Sequence, residues 1–397
     1  MESVGKVLKA FESATDNAGR ATLDPDLIEQ LTLAAYVWGL APEFSDRWSH
    51  SQSLLTAPVN VLAYGRNPAA WNNSGNTNAG NPSVLYLSAV LDLSKQDLVL
   101  TLPATRAPTY LIAQLTDAFL NTVSVPGTRT TPQDQPVSYL LVGPKSRYAH
   151  QQRVTLNGID FPVIALDTPT GHLTARVKVS PLAPADSVAS IPRVYRDVVQ
   201  GFALNPIKEF LKQGGPVYPA LFADLAPTDA TRQAAKPWAN RPDRAKDFFK
   251  QVGETLRKNP LPTLKTGLSG LPIAQLPGWI VPQPFAERLY QAPSANQQAT
   301  LDLFRPIGLS QRGFTLPPKW GDAQRGALEK GFLQAVQTVD AIAATARATP
   351  ETNFWQYLNQ GIGIYSNNAV GYLYRAVTCL LGGFANLPED ALYAQIN

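Results

Sequence analysis

LYLSAVLDLSKQDLVLTLP, residues 85–103, decides the fold. Val84 to Leu93 is a mostly apolar run, as expected of a strand buried on both faces. Leu98, Leu100 and Leu102 then alternate with Val99 and Thr101, and Pro103 stops the second strand. Around this pair the same signals recur. Tyr110 to Asp117 and Ser138 to Val142 read as strands. Phe161 to Leu166 and Leu173 to Val179 read as a hairpin around Asp-Thr-Pro-Thr-Gly. Short strands punctuated by Pro and Gly predict an antiparallel sheet or sandwich.

Outside that block the apolar period becomes helical. Residues 24–39 open with Asp24 as N-cap, Pro25 at the first helical position and Asp26 complementing the dipole. Gly39 and Pro42 are expected to end this helix. Val188, Ile191, Val194, Tyr195, Val198 and Phe202 fit another, and further helices fit 241–257, 324–347 and 366–381. Leu328, Phe332, Val336, Val339 and Ile342 form one stripe. The fold class is α+β: an N-terminal helical segment over 1–57, an antiparallel β domain over 58–182 and a mainly helical region over 183–381. Residues 382–397 read as the start of a further C-terminal β domain.

Composition narrows the function classes. The chain has 397 residues, 44% hydrophobic and only 16% charged, with 34 prolines. That is a globular chain with a large core and many fixed turns. The net charge of +4 is a weak bias. Its densest basic stretch, Arg232 to Lys258, is interleaved with Asp243, Asp247 and Glu254, which fits a solvated helix face and not a nucleic-acid patch. No run is long and apolar enough for a membrane span. The N-terminus lacks the apolar core of a signal peptide. As written the chain reads as cytoplasmic, and as periplasmic or secreted if a signal peptide has been removed. Cys379 is the one cysteine, so no intrachain disulfide or multi-thiolate metal site is possible. It reads as a buried structural thiol in an apolar helix.

Few residues carry chemistry. His50, His150 and His172 lack metal-ligand spacing, so neither a metal nor a cofactor is expected. There is no GxSxG elbow, although a Ser-His-Asp triad assembled from distant residues is defined by geometry alone. The Asn/Gly stretch WNNSGNTNAGN, residues 71–81, lacks the Lys-Ser/Thr of a phosphate loop and the carboxylates of a calcium loop. It reads as a shaped loop, or as a loop edging a ligand. Asn72-Asn73-Ser74 is a glycosylation sequon if the chain is secreted. Asp117 shares its parity with Leu111, Ala113 and Leu115, so it stands at the end of a buried face and needs a partner. Arg129 is within reach in sequence. Tyr64, Trp71 and Tyr86 are candidates to line an apolar pocket, with core packing as the plain alternative.

LYLSAVLDLSKQDLVLTLP, YLIAQLTDAFLNTVSVPGTRT, YLLVGP and the later YSNNAVGYLYRAVTCLLGGFANLPEDALY resemble the bacterial domain-of-unknown-function family twelve fifty-four. Members of that family usually continue into a jelly-roll domain numbered twelve fourteen. Two departures stand out. The Asp and Thr that family members place before the first strand are Ser83 and Val84 here. The chain also stops at Asn397, where the family pattern runs on, which implies a short form, a split gene or a truncation. The resemblance implies a jelly-roll partner domain, with a homo-oligomer as the alternative, and no settled activity.

Three functions follow as expectations. One is binding of a small apolar or amphipathic molecule by Tyr64, Trp71 and Tyr86, with Asp117 and Arg129 orienting its polar group. Another is a hydrolase of an apolar substrate using Asp117 as general acid or base. The third is a scaffold that needs the jelly-roll partner.

Overall fold

The computed structural model describes residues 2–17, 23–64, 84–104, 111–120, 122–128, 131, 133–178, 198–219, 228–262 and 297–348. The chain forms two units, Met1–Asp46 with Arg241–Asn397, and Arg47–Asn240. The protein is α+β, with a long N-terminal helix, two five-stranded sheets and further helices towards the C-terminus.

The unit Arg47–Asn240 is built on the sheets. The first contains β1 (Ala63–Tyr64), β2 (Val84–Asp92), β4 (Leu111–Asp117), β5 (Thr122–Ser124) and β9 (Thr170–Lys178), in the order β1-β2-β9-β4-β5. The second contains β3 (Leu98–Leu102), β6 (Val137–Val142), β7 (Arg153–Leu156), β8 (Ile159–Ala165) and β10 (Ala203–Pro206), in the order β10-β3-β6-β8-β7. The period of two puts Leu85, Leu87, Ala89 and Leu91 on one side of β2. Register then sets Leu85 against Val177, Leu87 against Ala175 and Ala89 against Leu173. Leu111, Ala113 and Leu115 meet the same three residues from the other side of β9. These side chains join Leu98, Leu100, Leu102, Tyr139 and Leu141 of the second sheet in one buried cluster. Each fully buried leucine in it contributes about 1.5–3 kcal/mol of hydrophobic stabilisation.

The outward side of the second sheet is apolar as well. Val99, Leu140, Val142 and Phe161 pack with Phe210 of α3 (Ile207–Gln213). The Phe161 and Phe210 rings meet edge to face at 5.4 Å. Gly214, at φ 73°, ends that short helix in the left-handed conformation.

The hairpin expected between 161–166 and 173–179 does not form. β8 lies in the second sheet, parallel to β6 and antiparallel to β7, so both its edges are taken. β9 lies in the first sheet between β2 and β4. The Asp-Thr-Pro-Thr segment therefore links the two sheets. The hairpin that does form joins β7 to β8 through Asn157 and Gly158, at φ 49° and 79°. Positive φ at both central residues is the two-residue turn that Asn-Gly favours, because its twist matches the flanking strands. The β6–β8 pair is the parallel exception in otherwise antiparallel pairings.

In the unit Met1–Asp46 with Arg241–Asn397, α1 (Glu2–Asp16) precedes helix α2, which begins at Pro25 and runs on to Leu55, through both Gly39 and Pro42. The sequence expects it to stop there. Every residue from Leu31 to Ser45 is buried, so tertiary packing outweighs the local cost of the proline. Gly39 is the contact point for Phe248 and Val252, where an added Cβ would stand 3.0–3.2 Å from their side chains. Those residues belong to α5 (Ala245–Lys258), which follows α4 (Asp229–Ala235) of the other unit. After α6 (Gln297–Asp302), α7 (Asp322–Ala348) presents Leu328, Phe332 and Val339, buried at the predicted helical spacing. Tyr36, Phe248 and Phe332 form a ring cluster with centroid separations of 4.7, 5.3 and 5.7 Å. Phe249 and Phe314 extend it.

The basic stretch is bridged by carboxylates, of which Glu254 is one of the interleaved residues and the others lie outside the stretch. Arg232 pairs with Asp229, Arg241 with Asp340, Arg257 with Glu254 and Lys258 with Asp46. The helix expected over 366–381 with Cys379, the loop 71–81 with Trp71, most of the helix expected over 188–202 and Arg129 lie outside the described residues. Among the described residues no helix is long and apolar enough to cross a membrane.

Candidate functional site

The first sheet has a second face, and its chemistry is unlike that of the core. On the central strand β9, His172, Thr174 and Arg176 alternate with the core residues and project to the opposite side. On β4 the same parity gives Ile112, Gln114 and Thr116, set by register against Arg176, Thr174 and His172 respectively. On β2 it gives Tyr86, Ser88 and Val90, set against the same three residues. An outward face of this composition would ordinarily be solvated. Here most of it is closed, with Tyr86 and Ser88 half-buried: Gln114 is 1% exposed, Thr116 2%, His172 1% and Arg176 8%.

Burying a polar group without a partner costs roughly 1–3 kcal/mol, so such a face needs internal bonding. Arg176 Nη1 donates to Gln114 Oε1 at 3.2 Å, and its guanidinium carbon lies 5.6 Å from the centre of the Tyr86 ring. Cation–π contact of this kind stabilises by about 0.5–2 kcal/mol, more where water is excluded. Further along β9, Ser49 Oγ and His172 Nε2 share a hydrogen bond of 2.7 Å. Trp48 meets the imidazole edge to face at 4.8 Å. The Thr116 hydroxyl, opposite His172, is buried without a hydrogen-bond partner. Two ends are thus distinguishable: Arg176, Gln114 and Tyr86 at one, and His172, Ser49, Trp48 and Thr116 at the other. Val90 and Ile112 add buried apolar surface on the same face.

The residues singled out in the sequence are distributed differently. Tyr86 lies on this polar face. Tyr64 stands opposite Leu87 in the β1–β2 register and packs against the sandwich core. Its hydroxyl donates to the Phe202 carbonyl at 3.0 Å, and burial pushes its ionisation well above the ordinary tyrosine range. Asp117 closes β4 and is buried at 2% exposure. Its Oδ1 accepts the Phe119 N–H at 2.8 Å, and its carbonyl accepts the Leu120 N–H at 3.1 Å. Leu120 holds a left-handed φ of 59°, which costs a non-glycine residue roughly 1–2 kcal/mol. The carboxylate therefore takes part in forming a strained turn. Asp117→Ala leaves the buried Phe119 N–H without that acceptor and should lower stability by about 1–3 kcal/mol. Asp117→Asn keeps an oxygen there and should cost less. Urea unfolding of both variants checks this; equal losses would contradict the turn role.

Sequence reasoning misses Arg176, Gln114, Thr116 and Ser49, and takes His172 only as a histidine without metal-ligand spacing. A signal was present in the alternating polar positions of His-Leu-Thr-Ala-Arg-Val, 172–177, and Ile-Ala-Gln-Leu-Thr, 112–116. Alternation of that kind reads as a solvated outer face, and only burial distinguishes the two. His150 is exposed, and His50 stacks on Trp238 at 3.8 Å. Among the described residues no group of three or more His, Cys, Asp or Glu side chains is placed to hold a metal.

Residues 59–206 match the family model described as "Protein of unknown function (DUF1254)". The chain carries a DUF1254 family domain over that span, which contains both sheets from β1 to β10. Ser49 and Trp48 precede the matched segment. Among solved structures, the chain is similar to the VPA0106 protein from Vibrio parahaemolyticus, at 14% identity and a TM-score of 0.50, over 91% of this chain and 69% of that one. An uncharacterised protein from Burkholderia cenocepacia is matched at 13% identity and a TM-score of 0.26, over 60% of this chain and 56% of the other. At these identities the first likeness speaks for the fold alone. Comparison with curated proteins gives no match.

Proposed function

We propose that the chain binds a small amphipathic molecule with an acidic head, received on the buried polar face of the first sheet. The observation that carries this reading is the closed, mixed surface around Arg176. A guanidinium at 8% exposure is held by Gln114 and the Tyr86 ring, with the apolar Ile112 as its cross-strand neighbour on β4. A planar guanidinium recognises a carboxylate through two parallel hydrogen bonds, and the aromatic and aliphatic neighbours suit a hydrocarbon portion. Asp117 contributes to this function at most indirectly, because one of its oxygens is engaged by the Phe119 amide.

Dodecanoate is a suitable probe. At a concentration near one hundred times its dissociation constant, a ligand stabilises the folded state by about 2.7 kcal/mol. In a unit of this size that raises the melting midpoint by roughly 5–10 °C. The shift is expected in the wild-type chain and not in a folded Arg176→Leu variant. No shift in the wild type, or equal shifts in both, would overturn the reading.

A further inference from the structure

We propose that Ser49 is a nucleophile activated by His172, which gives the chain the capacity to transfer an acyl group from an ester to water. The proposal stands on the opposite end of the polar face from Arg176, and it does not depend on the binding of an acidic head there. Three observations meet at this point. Ser49 Oγ and His172 Nε2 are 2.7 Å apart, within the reach that a serine and its general base require. The imidazole is set by β9, the central strand of the sheet, and by the edge of Trp48 at 4.8 Å. Directly across the β4–β9 ladder, the Thr116 hydroxyl is buried at 2% exposure with no hydrogen-bond partner. A buried, unsatisfied hydroxyl is destabilising, and a bound acceptor would relieve that cost. An acyl oxygen is an acceptor of that kind.

Ser49 is half-buried on the last turns of α2, in the same unit as His172, whereas His172 and Thr116 are closed from water. The nucleophile thus faces a water-poor base, where proton transfer is least screened. The chemistry balances without any other reactant than water. With the imidazole proton on Nδ1, Nε2 accepts the Ser49 proton as Oγ forms a bond to the ester carbonyl carbon. The tetrahedral adduct collapses with cleavage of the ester C–O bond, and His172 returns the proton to the departing alcohol. Water then attacks the acyl-serine, again losing its proton to His172. A carboxylic acid leaves and Ser49 is restored. The Thr116 hydroxyl donates to the oxygen that carries negative charge in both adducts.

A fluorophosphonate tests the first half of this sequence, because Ser49 Oγ would displace fluoride from phosphorus while its proton passes to His172. The full chain should gain one phosphonyl group, located by peptide mapping at Ser49. The gain should disappear in Ser49→Ala, which removes a single oxygen from a half-buried position. His172→Gln should slow labelling by roughly 100-fold or more. A comparison that needs no second variant is labelling before and after urea unfolding: an activated serine reacts only in the folded chain. Absence of label on Ser49 in the folded wild type, label that persists in Ser49→Ala, or equal reaction of folded and unfolded chains would each overturn the proposal.

Discussion

Phe248→Ala is expected to lower stability by about 3–5 kcal/mol, the range for deleting a fully buried aromatic ring. Phe248 has no exposed surface and lies against three rings, Tyr36 at 4.7 Å, Phe249 at 5.3 Å and Phe332 at 5.7 Å. It also fills the gap that Gly39 leaves on α2. Truncation therefore removes the ring's transfer free energy and opens a cavity bordered by three helices of one unit. Urea unfolding followed by tryptophan fluorescence reads the loss. Phe248→Leu, which refills part of the volume, should recover a substantial fraction. A loss below about 1 kcal/mol for Phe248→Ala would mean that the cluster is not the organising core of this unit.

Gly171→Ala is expected to be nearly as damaging, for the opposite reason. A Cβ at position 171 would stand 2.3 Å from the Thr116 carbonyl oxygen and 2.7 Å from Leu166 Cδ2. The first of these is backbone within the β4–β9 ladder and has no rotamer through which to retreat. Overpacking costs typically 1–3 kcal/mol, and a clash with ladder backbone belongs at the upper end, about 3 kcal/mol. The damage falls beside the polar face, because His172 is the next residue and Thr116 its cross-strand partner. Gly326→Ala is the matching control. It lies exposed in α7 with nothing within 4 Å of the added atom, and should stabilise by about 0.5–1 kcal/mol through helix propensity alone. Chemical denaturation of the pair gives opposite signs; a neutral Gly171→Ala would show that the β4–β9 approach is looser than described.

Much of the fold was legible because burial and period coincide. The strands at 84–92, 98–102 and 111–117 lie within a residue of where alternation and proline place them, and α7 buries Leu328, Phe332 and Val339 of the predicted stripe. The departures share a cause. Gly39 and Pro42 are local stop signals, and they lose to a segment buried on every side from Leu31 to Ser45. The two strands flanking Asp-Thr-Pro-Thr were adjacent in sequence, yet β8 pairs with β6 and β9 with β2 and β4. Short loops do not determine partnership when both sheets offer a free edge. Tyr64 and Tyr86 share aromatic character and proximity in sequence, which alone suggests a common pocket. The register puts one on the core side and the other on the polar side of the same sheet. The polar face itself was hidden for a simpler reason. A polar residue at every second position has the same pattern whether water or protein covers it.

On the proposed function, a small molecule occupies the polar face of the first sheet and not its core side. Photo-cross-linking tests it most directly, with p-benzoylphenylalanine placed at position 86 in one protein and at position 64 in another. Each chain is irradiated with dodecanoate and its mass measured after denaturation. An adduct of one ligand mass is expected at position 86 and none at position 64, with the adduct at 86 lost when Arg176→Leu is added. Adducts at 64 alone, or none at either position, would contradict it.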